Sequence, residues 1–118
     1  MRTIIAGSRT ASLTNVYQAI ELCPWKDDIS VVVSGTARGA DTYGDSWAKE
    51  KNIPIVQYKP DWDGLGKAAG FIRNQQMAEN ADALILVWDG QSHGSKHMLS
   101  CAEKLGLKVY VYHFKSAS

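Results

Sequence analysis

The sequence predicts an α/β domain: a modified Rossmann-like three-layer sandwich with a mainly parallel five-stranded sheet and helices on both faces. Three observations predict it. Short apolar runs rich in β-branched residues alternate with segments of helical periodicity along the whole chain. The connections are short, and several strand-to-helix turns carry glycine. No repeat, linker or low-complexity segment breaks the alternation, so one domain is expected over 1–114, with 115–118 as a tail.

Taken in order, "RTIIAG" is an apolar run ending in glycine, which suits a buried strand. Leu13, Val16, Tyr17 and Ile20 recur at i, i+3, i+4 and i+7, predicting an amphipathic helix over 12–22 with Ser12 as its cap and Pro24 closing it. "ISVVVSG" is the second strand. Ala40, Tyr43, Trp47 and Ala48 form the next helical stripe, and Gly44 permits close packing. "IPIVQYK" is the third strand, with Pro54 confined to its start because proline lacks an N–H. Residues 60–67 read as loop, 68–80 as helix and "ALILVW" as the fourth strand. Met98, Cys101, Ala102 and Leu105 mark the last helix, and Gly106 is a natural left-handed stop. "LKVYVYHF" alternates in a way that suits a strand at the sheet edge.

Bulk properties narrow the function. At 118 residues the chain can bury about two thirds of the surface its unfolded form exposes. Its 13 Lys+Arg against 12 Asp+Glu argue against attachment to nucleic acid or anionic membrane through net charge. Cys23 and Cys101 have no paired spacing and read as buried apolar side chains in a reducing compartment. With no signal-peptide pattern and no apolar stretch of spanning length, a cytoplasmic location is expected.

In open α/β sheets, ligands collect beyond the carboxyl ends of the strands, where helix N-termini present N–H groups. Three turns fall there: Gly7-Ser8-Arg9, then Gly35 to Gly39, then Asp89 to Ser95. Each joins glycine to hydroxyl groups, and two add an arginine, a pattern suited to a phosphate-bearing ligand. Established nucleotide fingerprints are absent: Gly64-Leu65-Gly66-Lys67 is followed by Ala68 rather than Ser or Thr, and no G-x-G-x-x-G opens a helix. On the helix after 67, Gly70, Arg73 and Asn74 share the stripe of Met77 and Ala81. An inward arginine needs an anionic partner, which is either a ligand or an acid such as Asp41. Trp62 and Tyr58 flank a loop beside this edge, where either stacks on a base or simply packs. Trp25, Trp47 and Trp88 read as packing residues. His93 and His97 stand four apart, but His93 falls in the turn before the helix and no third ligand is evident, so no metal is expected. No histidine neighbours Ser8 or Ser34, which leaves a serine-hydrolase triad without support.

The set "AGSR", "SGTARGADTYGDSWA", "DWDGLGKAAGFIRNQQM" and "VWDGQSHGSKHMLSCAEKLG" resembles the small stand-alone SLOG domains of the YspA-like type, found in bacteria and their phages. Their superfamily includes the DprA/Smf proteins and the Lonely Guy phosphoribohydrolases. The resemblance runs from Gly7 to about Val111 and implies binding of nucleotides or nucleotide-derived molecules, in some members second messengers. It implies a ligand-binding set of Gly7, Ser8, Arg9, Ser34, Gly35, Arg38, Gly39, Asp41, Arg73, Asn74, Asp89, Gly90, Ser92, Gly94 and Ser95, to which the turn and helix patterns above add Thr36 and Gly70. One departure matters. The Lonely Guy enzymes end their last glycine turn with a glutamate that works with an arginine to cleave an N-glycosidic bond. Arg73 matches that arginine, but the glutamate position holds Met98, which can neither take up a proton nor stabilise a cation. His97, next to it, should project about 100° away.

The expectation is therefore a binding module that captures a nucleotide-derived ligand, of the NAD, ADP-ribose or second-messenger kind, as a sensor or a sequestering device. It needs no cofactor. The alternative is a nucleotide N-glycosidase in which Asp41 or Asp89 acts with Arg73. Single-stranded DNA binding, by analogy with DprA, ranks third because no basic, aromatic-interleaved stripe is present. A homo-oligomer is expected from the superfamily, and a membrane or nucleic-acid partner is not.

Overall fold

The computed structural model describes residues 1–115, and of Lys67 only the backbone; the tail expected at 115–118 lies almost wholly outside the described residues. Five strands form one parallel sheet in the order β3-β2-β1-β4-β5. The strands are β1 (Arg2–Gly7), β2 (Val31–Ser34), β3 (Ile55–Gln57), β4 (Ala83–Trp88) and β5 (Lys108–His113). Between them run α1 (Leu13–Leu22), α2 (Ala40–Glu50), α3 (Trp62–Leu65), α4 (Ala69–Glu79) and α5 (His93–Lys104). The chain steps outward from β1 to β2 to β3, then returns to place β4 on the other side of β1. That reversal creates a topological switch point between β1 and β4, where a crevice opens beyond the strand ends.

The two faces of the sheet bury separate halves of the core. Ile5, Val32, Ile85 and Val87 pack with Val16, Ala19 and Ile20 of α1 and with Trp47 and Ala48 of α2. Ile4, Ala6, Val33, Leu84 and Leu86 pack with Met77 and Ala78 of α4 and with Met98, Cys101 and Ala102 of α5. Helix coverage on both sides explains why β1 and β4 read as continuous apolar runs rather than alternating ones. On β5, Tyr110 and Tyr112 join the first cluster, as does Phe114 just past its end, while Val109 and Val111 join the second, and the strand lies at the sheet edge as its alternation predicts. Gly44 lets α2 approach β1 closely, since a Cβ there would stand 2.7 Å from Ile5 Cγ2.

The caps follow the sequence. Ser12 Oγ accepts from the Asn15 N–H at 3.1 Å, and Asn15 Oδ1 accepts from the Ser12 N–H at 3.0 Å, a reciprocal box that starts α1. Gly106 follows α5 with φ 71°, a left-handed stop. Both cysteines are buried and unpaired.

Several expectations need correction. Residues 60–67 are not plain loop: Asp61 Oδ1 accepts from the Gly64 N–H at 2.9 Å and starts the short α3, which runs into a single 3-10 turn at Gly66–Ala68. Four helical residues are too few to show a period, so the pattern was invisible. Leu13 and Leu105 lie at helix ends and are exposed rather than part of the buried stripes. His93 is the first residue of α5, because Ser92 rather than His93 is the cap. The second and third strands are shorter than read, trimmed at both ends where the chain leaves the ladder.

Candidate functional site

The turns after β1, β2 and β4 meet at the switch point, and Ser8 fastens them together. Its N–H donates to Val87 O at 2.9 Å, and its carbonyl accepts from the Ala11 N–H at 3.2 Å and the Ala40 N–H at 3.4 Å. Its hydroxyl accepts from the Asp89 N–H at 3.0 Å. Gly39 lies against the same turn: a Cβ there would stand 2.5 Å from both Ser8 O and Arg9 O, and its φ of 74° favours glycine. Gly7 is equally constrained, since a Cβ would run into Val87 O at 1.9 Å. These glycines let the loops touch one another.

Asp41 and Arg73 both close over the open side of Gly35. A Cβ on Gly35 would be 2.8 Å from Arg73 Nη1 and 2.9 Å from Asp41 Oδ2. Arg73 Nη1 donates to Gly35 O, and Arg73 Nε donates to Asn74 Oδ1 at 3.1 Å. Asp41 Oδ2 accepts from the Ala37 N–H at 3.0 Å. The two side chains thus clamp the β2–α2 turn without an ion pair of their own; among the described residues the ion pair within 4.0 Å is Lys26 with Glu21. Burial pushes the Asp41 carboxyl up to about 6, against the pull of the Ala37 N–H and the Arg73 charge. Burial also lowers the Arg73 pKa, Asp41 opposes that shift, and Arg9 adds to it through like charge. Arg9 and Arg73 therefore stand close enough for their like charges to oppose each other.

Asn74 carries this geometry across to α5. Its Nδ2 donates to Gly94 O at 3.3 Å and lies 3.2 Å from His97 Nδ1, while its Oδ1 holds Arg73. His97 also packs against Phe71 in a tilted arrangement, with ring centroids 4.5 Å apart, and lines neither cavity. At the other end of the β4–α5 turn, Asp89 Oδ1 accepts from the N–H groups of Gln91 at 2.9 Å and Ser92 at 3.0 Å. Ser92 Oγ then caps α5 through the Ser95 N–H at 3.4 Å and accepts from Ser95 Oγ–H at 3.1 Å.

A cavity of about 360 Å³ opens at this junction. Gly7, Ser8, Arg9 and Thr10 line it from the first turn, Ala37 and Asp41 from the second, and Asp89, Ser92, Gly94 and Ser95 from the third. Arg73, Asn74, Met77, Ala6 and Met98 complete it. A second cavity of about 380 Å³ lies beside it, walled by Gly35, Thr36, Arg38, Pro60 and Trp62, and shares Arg9, Ala37 and Arg73 with the first. Of the predicted set, Ser34, Gly39, Gly70 and Gly90 line neither. Ser34 Oγ instead accepts from the N–H of Thr36, which has φ 63°. Sequence reasoning passed over Thr10, Ala37 and Pro60 as lining residues; Thr10 adjoins Arg9, and Ala37 contributes its backbone. Tyr58 packs into the core and lines neither cavity, whereas Trp62 lines the second.

Chemically, the first cavity suits an anion. Two guanidinium groups border it, and the first turn of the twelve-residue α5 lies at its wall, where helix N–H groups lack intrahelical partners. Met98 lines the cavity fully buried, so a non-titrating thioether occupies the position facing the site. Among the described residues no cluster of three or more His, Cys, Asp or Glu could hold a metal, and no helix is long and apolar enough to cross a membrane.

The fold and site define a Rossmann-like α/β domain with a polar cavity at the switch point of its sheet. The chain belongs to the YspA, cpYpsA-related SLOG family, whose sequence profile matches residues 1–64. It is 34% identical over 121 residues to the Gene 61 protein of Mycobacterium phage D29, covering 92% of this chain and 93% of that protein. Its fold is similar to DNA processing protein A (DprA) of Streptococcus pneumoniae, with a TM-score of 0.74 at 18% identity over 93% of this chain and 49% of that one. It is similar also to DprA of Helicobacter pylori, a protein with a single-stranded DNA binding mode, with a TM-score of 0.69 at 21% identity over 94% of this chain and 64% of that one. The chain thus spans about half the length of the first DprA and under two thirds of the second.

Proposed function

We infer that this domain binds a nucleotide or nucleotide-derived ligand in the cavity at the switch point and holds it without cleaving it. The observation that carries this reading is the convergence of Arg9, Arg73 and the first turn of α5 on one cavity. Its nearest buried acid, Asp41, is committed to the Ala37 N–H. A phosphate group placed there would gain charge-assisted hydrogen bonds from both arginines and from helix N–H groups. Capture without turnover suits a sensor or a sequestering module. Met98 supports the absence of turnover, because glycosidic cleavage needs a group that can take up charge or a proton. Asp89 and Asp41 are the carboxylates left in the cavity wall, and both accept hydrogen bonds from the backbone.

The test is equilibrium dialysis with AMP, ADP-ribose and NAD, followed by chromatography of the recovered small molecules. Saturable binding with intact ligand is expected. Arg9→Ala should weaken it about 10-fold or more, the scale of one lost charged hydrogen bond. Free base in the chromatogram, abolished by Asp41→Asn or Asp89→Asn, would make the domain an N-glycosidase. Failure of every nucleotide to bind would remove this reading.

A second reading draws on the fold likeness to a single-stranded DNA-binding DprA. An exposed Trp62 beside Arg38 favours it, because aromatic and basic groups together stack and neutralise single strands. The near-balanced charge weighs against it.

A further inference from the structure

The second cavity has a chemistry that a mononucleotide in the first would leave unused. Trp62 is 53% exposed, unlike Trp25 and Trp47, which are 4% exposed each. It sits on α3, which Asp61 caps, and one edge of its ring lies over the start of α4: a Cβ on Gly70 would stand 3.5 Å from Trp62 Cη2 and 3.8 Å from Arg73 Nη2. Absence of a side chain at Gly70 thus leaves the indole next to the guanidinium that borders both cavities. Pro60 adds a second flat apolar surface, and Arg38, which forms no ion pair among the described residues, adds positive charge. Arg9, Ala37 and Arg73 form the wall common to the two cavities, so the anion-binding arginines stand between them. Each cavity falls in the size range of small-ligand sites.

We propose that the second cavity is a stacking subsite for a planar ring, and that the ligand has two heterocycles joined by a phosphate bridge. One nucleoside occupies the switch-point cavity, the bridge lies against Arg9 and Arg73, and the second ring stacks on Trp62 beside Arg38. This rests on the proposed function, of which it specifies the ligand class. A bridge carries negative charge where the arginines are, and an exposed indole gains contact area only when a flat partner covers it.

The experiment is isothermal titration of the wild type, Trp62→Ala and Trp62→Phe with three probes: AMP, diadenosine diphosphate and a single-stranded oligodeoxythymidine of 20 nucleotides. Trp62 belongs to neither core cluster, so its replacement should shift the thermal midpoint little. Diadenosine diphosphate should bind the wild type at least about 10-fold more tightly than AMP. Trp62→Ala should remove that advantage, a loss of about 5- to 100-fold for one stacked base, while AMP binding stays the same. Trp62→Phe should restore most of it. Equal affinity for AMP and diadenosine diphosphate, or a Trp62→Ala loss shared equally by AMP, would overturn the subsite while leaving nucleotide binding intact. Absence of binding to both AMP and diadenosine diphosphate would overturn the proposed function and the subsite together. Tighter, Trp62-dependent binding of the oligonucleotide than of diadenosine diphosphate would replace the small ligand with single-stranded DNA.

Discussion

Asp41 shows how a residue's neighbours in space can differ from those its place in the chain suggests. The sequence offers it as a ligand contact or as the partner of Arg73. Three-dimensional neighbours decide between them: both side chains lie against Gly35, and each binds the backbone of the turn rather than the other. Sequence spacing carries no information about a contact between residues 35 and 73, because α4 arrives there only through the packing of the whole sheet. A pH dependence follows. The folded pKa of Asp41, about 6, lies above its ordinary value of 3.8, so the folded chain holds this proton more tightly than the unfolded chain does. The resulting stabilisation is complete below pH 3.8 and disappears as pH rises through 6. It amounts to about 3 kcal/mol across that window. Asp41→Asn, which cannot titrate, should flatten the fall in stability between pH 4 and 7 measured by urea unfolding. An unchanged slope in the variant would assign the titration to another group.

At the scale of elements, the strand and helix order was legible because the apolar runs and helical stripes are long enough to show a period. The edge position of β5 also followed from its alternation. What escaped was short or non-local: the four-residue α3, and the division of labour among glycines in the β2–α2 turn. Gly35 and Gly39 look alike in "SGTARGAD" yet face different atoms. At Gly39 a Cβ would strike backbone atoms of Ser8 and Arg9, and φ is positive. At Gly35 it would strike the movable ends of Arg73 and Asp41. Gly39→Ala should therefore cost roughly 2–4 kcal/mol of stability, the sum of overpacking and left-handed strain. Gly35→Ala should cost under about 1 kcal/mol, because side-chain ends can shift, yet it should displace Arg73 and weaken nucleotide binding about 10-fold. Urea unfolding and equilibrium dialysis on the same two variants separate the effects. Equal stability losses would mean that the two glycines serve one purpose.

For the whole molecule, the near balance of 13 basic and 12 acidic residues conceals a local imbalance at one edge of the sheet. Arg9, Arg38 and Arg73 border adjoining cavities, while Asp41 is buried with a raised pKa and Asp89 is engaged by backbone N–H groups. The sequence placed those arginines at a common edge, but it could not show that two cavities share their wall. Such an arrangement concentrates positive charge over a short span rather than along a track. Binding through a few phosphate contacts releases few counterions, whereas a single strand laid across many cations releases one for each phosphate neutralised, with a slope of about 0.7 per contact. Nucleotide affinity measured from 50 to 400 mM salt should therefore fall with a log–log slope of magnitude about 2 or less. A 20-nucleotide single strand should bind weakly, and its slope should stay equally shallow because the two cavities offer it Arg9, Arg38 and Arg73 as their cations. A slope of about 4 or more for the strand, with affinity exceeding that for nucleotides at low salt, would require a cationic track extending beyond these two cavities. The domain would then act on DNA strands, with its paired cavities as one station along the path.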